Sequence, residues 1–190
     1  GQRPGVEEID IMYISPKLGQ PRTIFDEEKI EQLSYSIKEH GILQPLVLVE
    51  VSNDEYVIIA GERRYRAAKK AGLKKVPAVI RTASELQQLE LALVENIQRE
   101  DLGSLEQAVS IKRLHEEFGQ SYEQIAKRLG KAQTTVVNLV RLLGLDEKYQ
   151  KALSGGKITE GHARALLALA KNPDAQEQLF GHIVSQHWSV

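Results

Sequence analysis

The sequence predicts an α+β protein in which a mixed α/β domain precedes an all-helical domain. Two β-rich runs, 45–51 and 56–60, flank a four-residue polar turn and predict a hairpin or a close pair of strands. A third short apolar run follows at 76–80. From residue 104 onward, apolar residues recur at helical spacing with glycine between the segments, which predicts helices only.

The helices of the first half have recognisable ends. Asp26 is a typical N-cap for a helix that stops at Gly41, and Gly61 ends a strand and opens a helix closed by Gly72. Ser84 begins a further helix, for which we expect an apolar face at four positions. That face comprises Leu86, Leu89, Leu93 and Ile97.

A break near Asp101 and Gly103 separates the two halves, so we expect domains at 1–100 and 101–190. The predicted helices of the second domain are 104–118, 121–129, 132–143, 146–153, 159–170 and one from residue 173 onward. The chain ends at Val190 in the middle of an apolar pattern, so we expect it to be part of a longer protein.

Composition narrows the classes of function. The 190 residues include no cysteine, which excludes disulfides, thiolate zinc sites and cysteine nucleophiles. No apolar run approaches the roughly 20 residues of a membrane helix, and the polar start is unlike a secretory signal, so we expect a cytoplasmic protein. The net charge is only −1, yet residues 61–81 carry eight basic side chains against the single acid Glu62. Such a local excess indicates an anionic partner.

A helix-turn-helix is predicted over 121–145. Ser121 followed by Gln124 is a capping box. The next positions suit two helices that cross closely, with small Ala126 at the contact, Gly130 in the turn and Val136 as the wedge from the second helix. An ordinary helical hairpin is the alternative.

The second helix of this motif presents short polar side chains at its N-terminal end, where they can reach base edges in DNA. The candidate DNA-binding residues are Lys131, Gln133, Thr134, Thr135 and Arg141. Gln133 is the best candidate for contacting a base, since its amide can pair bidentately with adenine. Lys131 and Arg141 are better placed for phosphate.

A glycine-arginine turn, residues 61–68, lies where a strand leads into a helix N-terminus, which offers backbone N–H donors to an anion. Arg63, Arg64 and Arg66 add forked donors suited to polyphosphate. A solvated basic face or a DNA-phosphate patch is an equal alternative. Farther along, the oxygens of Glu95 and Asn96 could serve Mg²⁺ beside a phosphate, although a surface ion pair is the commoner role of such a glutamate.

Six segments of the chain resemble, in the same order, the motifs of the ParB family of bacterial chromosome- and plasmid-partition proteins, which includes a nucleoid-occlusion branch, Noc. They are 20–22 (QPR), 41–45 (GILQP), 61–67 (GERRYRA), 95–100 (ENIQRE), 128–131 (RLGK) and 141–143 (RLL). The resemblance covers nearly the whole chain. It implies a ParB-type N-terminal nucleotide-binding domain followed by a helical DNA-binding domain.

The resemblance also implies CTP and Mg²⁺ as cofactors and a weak CTPase activity. Gly61, Glu62, Arg63 and Arg64 would hold the triphosphate, with Gln44 and Arg22 near the pocket. Glu95 and Asn96 would serve the metal. Gln20 matches the residue implicated in hydrolysis, where a glutamine can orient the attacking water.

The resemblance also implies the partners of the chain. Family members bind a palindromic centromere-like DNA site, parS, and two protomers close into a clamp that slides along DNA. We therefore expect double-stranded DNA and a second copy of the chain as partners, and location at the nucleoid. The family's segment for a ParA-type ATPase and its C-terminal dimerisation domain do not match any part of this chain, and we expect no membrane contact.

Other interpretations remain open at this stage. Gln133 is more typical of the nucleoid-occlusion branch and Gly161 of the partition branch, so the DNA site is undecided. A plain helix-turn-helix module without a nucleotide switch is a second possibility. A nucleotide-using enzyme on the same N-terminal fold, such as a small-molecule kinase, is a third, resting on analogy of fold alone.

Overall fold

A computed structural model of the chain describes residues 5–16 and 27–187. The chain divides into two compact units. The first comprises Gly1–Leu91 and His115–Gly119, and the second comprises Ala92–Leu114 and Gln120–Val190. The domain boundary expected at residue 101 stays a prediction, because two helices contribute residues to both units.

The first unit is built on a five-stranded mixed sheet. Its strands are β1 (Val6–Asp10), β2 (Ile14–Ser15), β3 (Leu46–Ser52), β4 (Glu55–Ala60) and β5 (Lys75–Arg81), in the order β1-β5-β3-β4-β2. The β1–β5 and β3–β4 pairs are antiparallel, whereas β3–β5 and β2–β4 are parallel. A 3₁₀ turn, Ile11–Tyr13, joins β1 to β2.

The predicted hairpin is confirmed. β3 pairs with β4 from Val47 opposite Ala60 to Ser52 opposite Glu55, with two irregularities in the register. Asp54 makes the turn with a φ of 56°, which aspartate tolerates better than most residues. The strands β1 and β2 were not predicted from the sequence.

Two helices pack together in this unit, α1 (Glu27–His40) and α2 (Glu62–Lys70). Between them lies a small core of Ile30, Ile37 and Ala67. A larger core lines the sheet, and its buried side chains are Ile9, Ile14, Leu46, Leu48, Tyr56, Ile58, Tyr65, Ala68, Val76 and Ala78. The predicted N-cap Asp26 lies outside the described residues.

The helices α3 (Ala83–Ile97) and α4 (Ser104–Phe118) each contribute residues to both units. The apolar face predicted for α3 is partly wrong. Ile97 and Val94 are buried, but Leu89 is 40% exposed and Leu91 is 49% exposed. The exposure of Leu89 shows that helical spacing alone does not decide which side of a helix is covered.

The second unit is helical throughout its described residues. Beyond the shared helices it contains α5 (Tyr122–Leu129), α6 (Gln133–Arg141), a 3₁₀ turn (Leu142–Gly144), α7 (Glu147–Ser154), α8 (Glu160–Ala168) and α9 (Pro173–Gln186). Contacts link α5 to α6, α7 to α8 and α8 to α9. Fully buried side chains on successive helices fill the interior, among them Ile111, Leu114, Ile125, Val136 and Leu166.

Candidate functional site

Gly61 shapes the turn between β4 and α2. Its φ of 103° lies in the left-handed region, and a Cβ added there would lie 2.3 Å from Cδ2 of the buried Leu46. No side chain caps α2, whose first turn is closed by the Tyr65 N–H donating to the Gly61 carbonyl at 2.9 Å. The N–H groups at the start of α2 therefore have no partner within the helix and are directed outward, where an anion could accept from them.

The charged residues of the first turn are arranged so that one arginine faces solvent. Glu62 and Arg66 form an i,i+4 ion pair with Oε1 and Nη2 3.2 Å apart, which offsets the carboxylate's repulsion of an anion. Arg63 is exposed and forms no ion pair with any residue that the structure describes. Its guanidinium is thus available for an anionic ligand.

Arg64 is anchored by backbone carbonyl groups. Its Nη1 donates to the carbonyl oxygens of Gln44 and Pro45, both at 2.7 Å. Burial lowers the pKa of Arg64, and the Glu116 carboxylate partly opposes that shift. These contacts fix the guanidinium beside the Gly61 turn, which is where a forked donor must lie to bind a phosphate group held by the helix N-terminus.

The end of α4 packs against the strand that leads into this turn. Gly119 has a φ of 65°, and a Cβ added there would lie 2.0 Å from the Ile59 carbonyl oxygen. Phe118 beside it is buried. The close approach brings the last turn of α4, including Glu116, to the same side of the first unit as Arg64.

Other residues predicted for the nucleotide site lie elsewhere or outside the described part. Gln20 and Arg22 fall outside the described residues. The Gln44 backbone carbonyl accepts a hydrogen bond from Arg64, and Gln44 itself is exposed. The structure therefore places Gly61, Glu62, Arg63 and Arg64 in one turn and brings the Gln44 carbonyl into contact with Arg64.

The predicted metal residues Glu95 and Asn96 lie on the last turn of α3, within the second unit. Asn96 Oδ1 accepts a long hydrogen bond of 3.4 Å from Arg99 Nη1, and Arg99 also pairs with Asp101 at 3.0 Å. That pairing lowers the pKa of the exposed Asp101 carboxyl. Glu95 is exposed and its carboxylate has no hydrogen-bond or ion-pair partner among the described residues.

No cluster of three or more His, Asp or Glu side chains suited to a metal ion occurs within the ranges 5–16 and 27–187. Mg²⁺ does not require one, because it binds through one or two side-chain oxygens together with phosphate oxygens and water. The oxygen donors of Glu95 and Asn96 fit that chemistry.

The helix-turn-helix has the local geometry that the sequence predicts. The Ser121 hydroxyl accepts from the Gln124 N–H at 3.1 Å, and Gln124 Oε1 accepts from the Ser121 N–H at 2.9 Å. Gly130 adopts a left-handed conformation with a φ of 68°, and the Lys131 N–H donates to the Ala126 carbonyl at 2.9 Å. Ala126 and Val136 are buried at the contact between α5 and α6.

The N-terminal end of α6 forms the candidate DNA surface. Lys131, Gln133, Thr134 and Thr135 are exposed, and none of their side chains has a hydrogen-bond partner among the described residues. The opposite face of the helix is anchored by buried Val136 and Leu139. Arg141 is exposed at the other end of the helix.

Comparison with protein families covers both units. The ParB N-terminal domain matches residues 1–97 and the ParB HTH domain matches residues 100–190. The chain belongs to the ParB family. The helix-turn-helix at 121–145 falls within the ParB HTH match, and the glycine-arginine turn falls within the ParB N-terminal match.

Individual relatives include ParB-family proteins of two names. The nucleoid occlusion protein of Bacillus mycoides (strain KBAB4) is 45% identical over 185 residues, which is 97% of this chain and 63% of the relative. A C-terminally truncated ParB of Caulobacter crescentus, complexed to the centromeric parS site, is 42% identical and covers 96% of this chain and 93% of its own, with a TM-score of 0.52. The structure of the same Caulobacter protein complexed with CTP-gamma-S is 44% identical in sequence. The match covers 92% of this chain and 98% of the Caulobacter chain, with a TM-score of 0.41. The chain thus spans about 63% of the length of the curated nucleoid occlusion relative.

The sequence did not point to two residues near the glycine-arginine turn, Glu116 and Gly119. Both act on residues more than 50 positions earlier in the chain, so no local pattern reveals them. Gly119 had one available signal, since it follows a predicted helix.

Among the described residues, every helix is too short or too polar to span a membrane.

Proposed function

We propose that this chain is the nucleotide-switched DNA-binding part of a chromosome-partition or nucleoid-occlusion protein. It binds a parS-like palindrome through α5 and α6, and CTP with Mg²⁺ through the turn at Gly61. The observation that carries the proposal is the uncapped N-terminus of α2, whose first turn contains Arg63 and Arg64, in a family member that also has the ParB HTH domain.

The nucleotide site uses backbone and guanidinium donors in different ways. The N–H groups at the start of α2 donate to the phosphate oxygens of the triphosphate at the positive end of the helix dipole. Arg64, held by the carbonyls of Gln44 and Pro45, is already in place before the ligand arrives. Arg63 is exposed, and its guanidinium binds the phosphates from the solvent-facing side of the turn.

Glu95 and Asn96 serve the metal, as the family motif implies. Bound Mg²⁺ would neutralise developing charge on the phosphate oxygens. Gln20 orients the attacking water, and because an amide is not a general base, hydrolysis is slow. Slow turnover suits a switch, in which nucleotide binding selects one of two states and hydrolysis resets it.

The proposed DNA contact is made by the exposed N-terminal end of α6. Gln133 contacts a base, Thr134 and Thr135 contact the groove, and Lys131 and Arg141 contact phosphates. This division assigns sequence selection to one end of the helix and affinity to its charged residues.

A second copy of the chain completes the proposed clamp. A palindrome presents two equivalent half-sites, so a two-fold dimer places one copy of α6 in each. The exposed Leu89 and Leu91 on α3 offer an apolar surface for that contact. A ParA-type ATPase is the further partner that the family implies, and the nucleoid is the expected location.

Two observations favour the nucleoid-occlusion branch as the alternative identity. Gln133 is more typical of that branch, and relatives at 45% identity carry its name. Gly161 points to partition. The two branches differ in their DNA site, so duplex preference separates them.

The test is isothermal titration of the chain with CTP, ATP, GTP and UTP, each with Mg²⁺ and with a parS, Noc-type or scrambled duplex. We expect CTP to bind in preference to the others, and most tightly with one cognate duplex. Arg64→Ala should abolish CTP binding and leave the first encounter with cognate DNA intact. Arg113→Ala, a change of the same kind on α4, is the matched control.

Three outcomes oppose the proposal. Absence of CTP binding in the presence of either cognate duplex removes the switch. If Arg64→Ala instead weakens binding to every duplex and reduces its salt dependence, the arginine turn is a DNA-phosphate patch of a plain DNA-binding module. Transfer of phosphate to an acceptor such as serine identifies a kinase.

A further inference from the structure

A concave site lies in the second unit beside the C-terminal end of α6. It is a cavity of about 390 Å³ lined by Asn138, Arg141, Arg164, Leu167 and Ala168. The first two residues come from α6 and the last three from α8. Sequence motifs singled out Arg141 but gave no role to Arg164 or Asn138.

The charge of this cavity is one-sided. Its lining contains two guanidinium groups and an amide and no carboxylate. Neither Arg141 nor Arg164 forms an ion pair with any residue in the described ranges, and both are exposed. Two unneutralised arginines around one cavity favour an anion that can accept from both forks, and phosphate is the anion that matches that geometry.

The size of the cavity and its apolar lining residues indicate a ligand larger than a free ion. A volume of about 390 Å³ lies within the range of small-molecule sites and exceeds what a single phosphate needs. Leu167 and Ala168 supply an apolar surface. A deoxyribose ring attached to a phosphate presents apolar C–H groups beside its charge, so a sugar-phosphate segment complements both parts of the lining.

The position of the cavity along α6 agrees with a DNA backbone. Gln133 and Arg141 are eight residues apart, which is about 12 Å along a helix. The major groove is also about 12 Å wide. A helix that places Gln133 against base edges therefore carries Arg141 to the border of the groove, where the sugar-phosphate chain runs.

We propose that Arg141 and Arg164, with Asn138 in the same cavity, bind one sugar-phosphate segment at the edge of the groove that α6 enters. The site extends the DNA contact beyond the helix-turn-helix to α8. It rests on the proposed DNA-binding function. Because it touches no base, it contributes affinity and register and does not change which sequence is preferred.

The experiment measures duplex binding by the whole chain at several salt concentrations, on cognate and scrambled DNA. Arg164→Ala should weaken both by about the same factor, on the order of ten-fold. It should also lower the slope of log K against log salt by about 0.9, the value for one phosphate contact. Arg164→Lys should recover the slope, since the charge returns, but only part of the affinity. Lys171→Ala removes an equal charge from an exposed position outside the cavity and is the control.

A neutral backbone analogue locates the contact. Methylphosphonate groups are placed one at a time along the cognate duplex. The group at one position bordering the groove should weaken DNA binding by the unmodified protein. Arg164→Ala should be insensitive to that same substitution. Inorganic phosphate alone should not bind at millimolar concentration.

Specific outcomes overturn the inference. If Arg164→Ala has the same affinity and salt slope as Lys171→Ala, there is no backbone contact at this cavity. The same conclusion follows if Arg164→Ala is as sensitive as the unmodified protein to every methylphosphonate. A loss confined to the cognate duplex would instead make Arg164 a base-contacting residue. Failure of the unmodified chain to bind any duplex contradicts the proposed function itself, and circular dichroism of each variant separates both results from misfolding.

Discussion

Gly61 is the residue on which the proposed nucleotide site depends most closely. Its left-handed φ and its approach to Leu46 are separate constraints, and Gly72, with a φ of 78° and open space around it, has only the first. Gly61→Ala should therefore lower the free energy of unfolding by about 1–2 kcal/mol for the conformation and by about a further 1–3 kcal/mol for the contact. Gly72→Ala should show only the first loss.

Urea denaturation of both variants measures this difference, and titration with CTP and Mg²⁺ follows the site. Gly61→Ala should also lose CTP binding, while Gly72→Ala keeps it. Equal stability and equal CTP affinity in the two variants would mean that the turn does not need glycine at position 61.

Gln133 is the residue assigned to base selection. Gln133→Ala should weaken binding to the cognate duplex by about 1–3 kcal/mol, the range of a bidentate base contact, with little change on scrambled DNA. Lys131→Ala should weaken both duplexes alike. Fluorescence anisotropy on the two duplexes measures the ratio, and a loss that is the same on both for Gln133→Ala contradicts its role as a base reader.

Single residues were predictable where local chemistry dictates them. Gly61 and Gly130 were expected in turns because glycine alone adopts left-handed backbone at no steric cost, and the structure confirms both. The anchoring of Arg64 was not predictable. Its partners are carbonyl groups of Gln44 and Pro45, about twenty residues earlier, and backbone groups have no signature in the side-chain sequence.

At the scale of elements, the last turn of α4 is the feature that sequence patterns missed. Gly119 and Gly130 have nearly the same φ, 65° and 68°, but only Gly119 lies against another strand. Gly130→Ala should cost about 1–2 kcal/mol of stability from conformation. Gly119→Ala should cost about 1–3 kcal/mol more, because its Cβ would overlap the Ile59 carbonyl and displace the end of α4 from β4.

Chemical denaturation of the two variants tests this comparison. Gly119→Ala should also weaken CTP binding, because β4 leads directly into the Gly61 turn, whereas Gly130→Ala should weaken DNA binding. If Gly119→Ala is no less stable than Gly130→Ala, the packing of α4 on β4 contributes nothing to the first unit.

The strands show why some elements escape prediction. β3 and β4 are rich in β-branched residues and are joined by a short turn, so they were predicted. β1 has only Val6 and Ile9 as apolar residues among three acids, and its partner β5 lies about 70 positions away. β2 has two residues and gains its identity from pairing with β4. Long-range pairing, and not local pattern, defines both.

For the whole molecule, the two family domains correspond to the two binding functions proposed for the chain. The ParB N-terminal domain supplies the arginine turn, and the ParB HTH domain supplies the recognition helix. The order of these functions was predictable from the ordered motifs. The proposed coupling of nucleotide binding to DNA binding was not predictable from residue patterns, because such a coupling belongs to an equilibrium between states.

The most direct test of the nucleotide-controlled clamp is closure measured by crosslinking. Because the chain has no cysteine, Leu89→Cys and Leu91→Cys each introduce a single thiol at an exposed position of α3. A bismaleimide is added with each of the four nucleoside triphosphates, Mg²⁺, and a parS, Noc-type or scrambled duplex. We expect a crosslinked dimer to accumulate only when CTP and one cognate duplex are both present. A crosslinked yield that is the same with and without nucleotide at both positions would contradict the clamp.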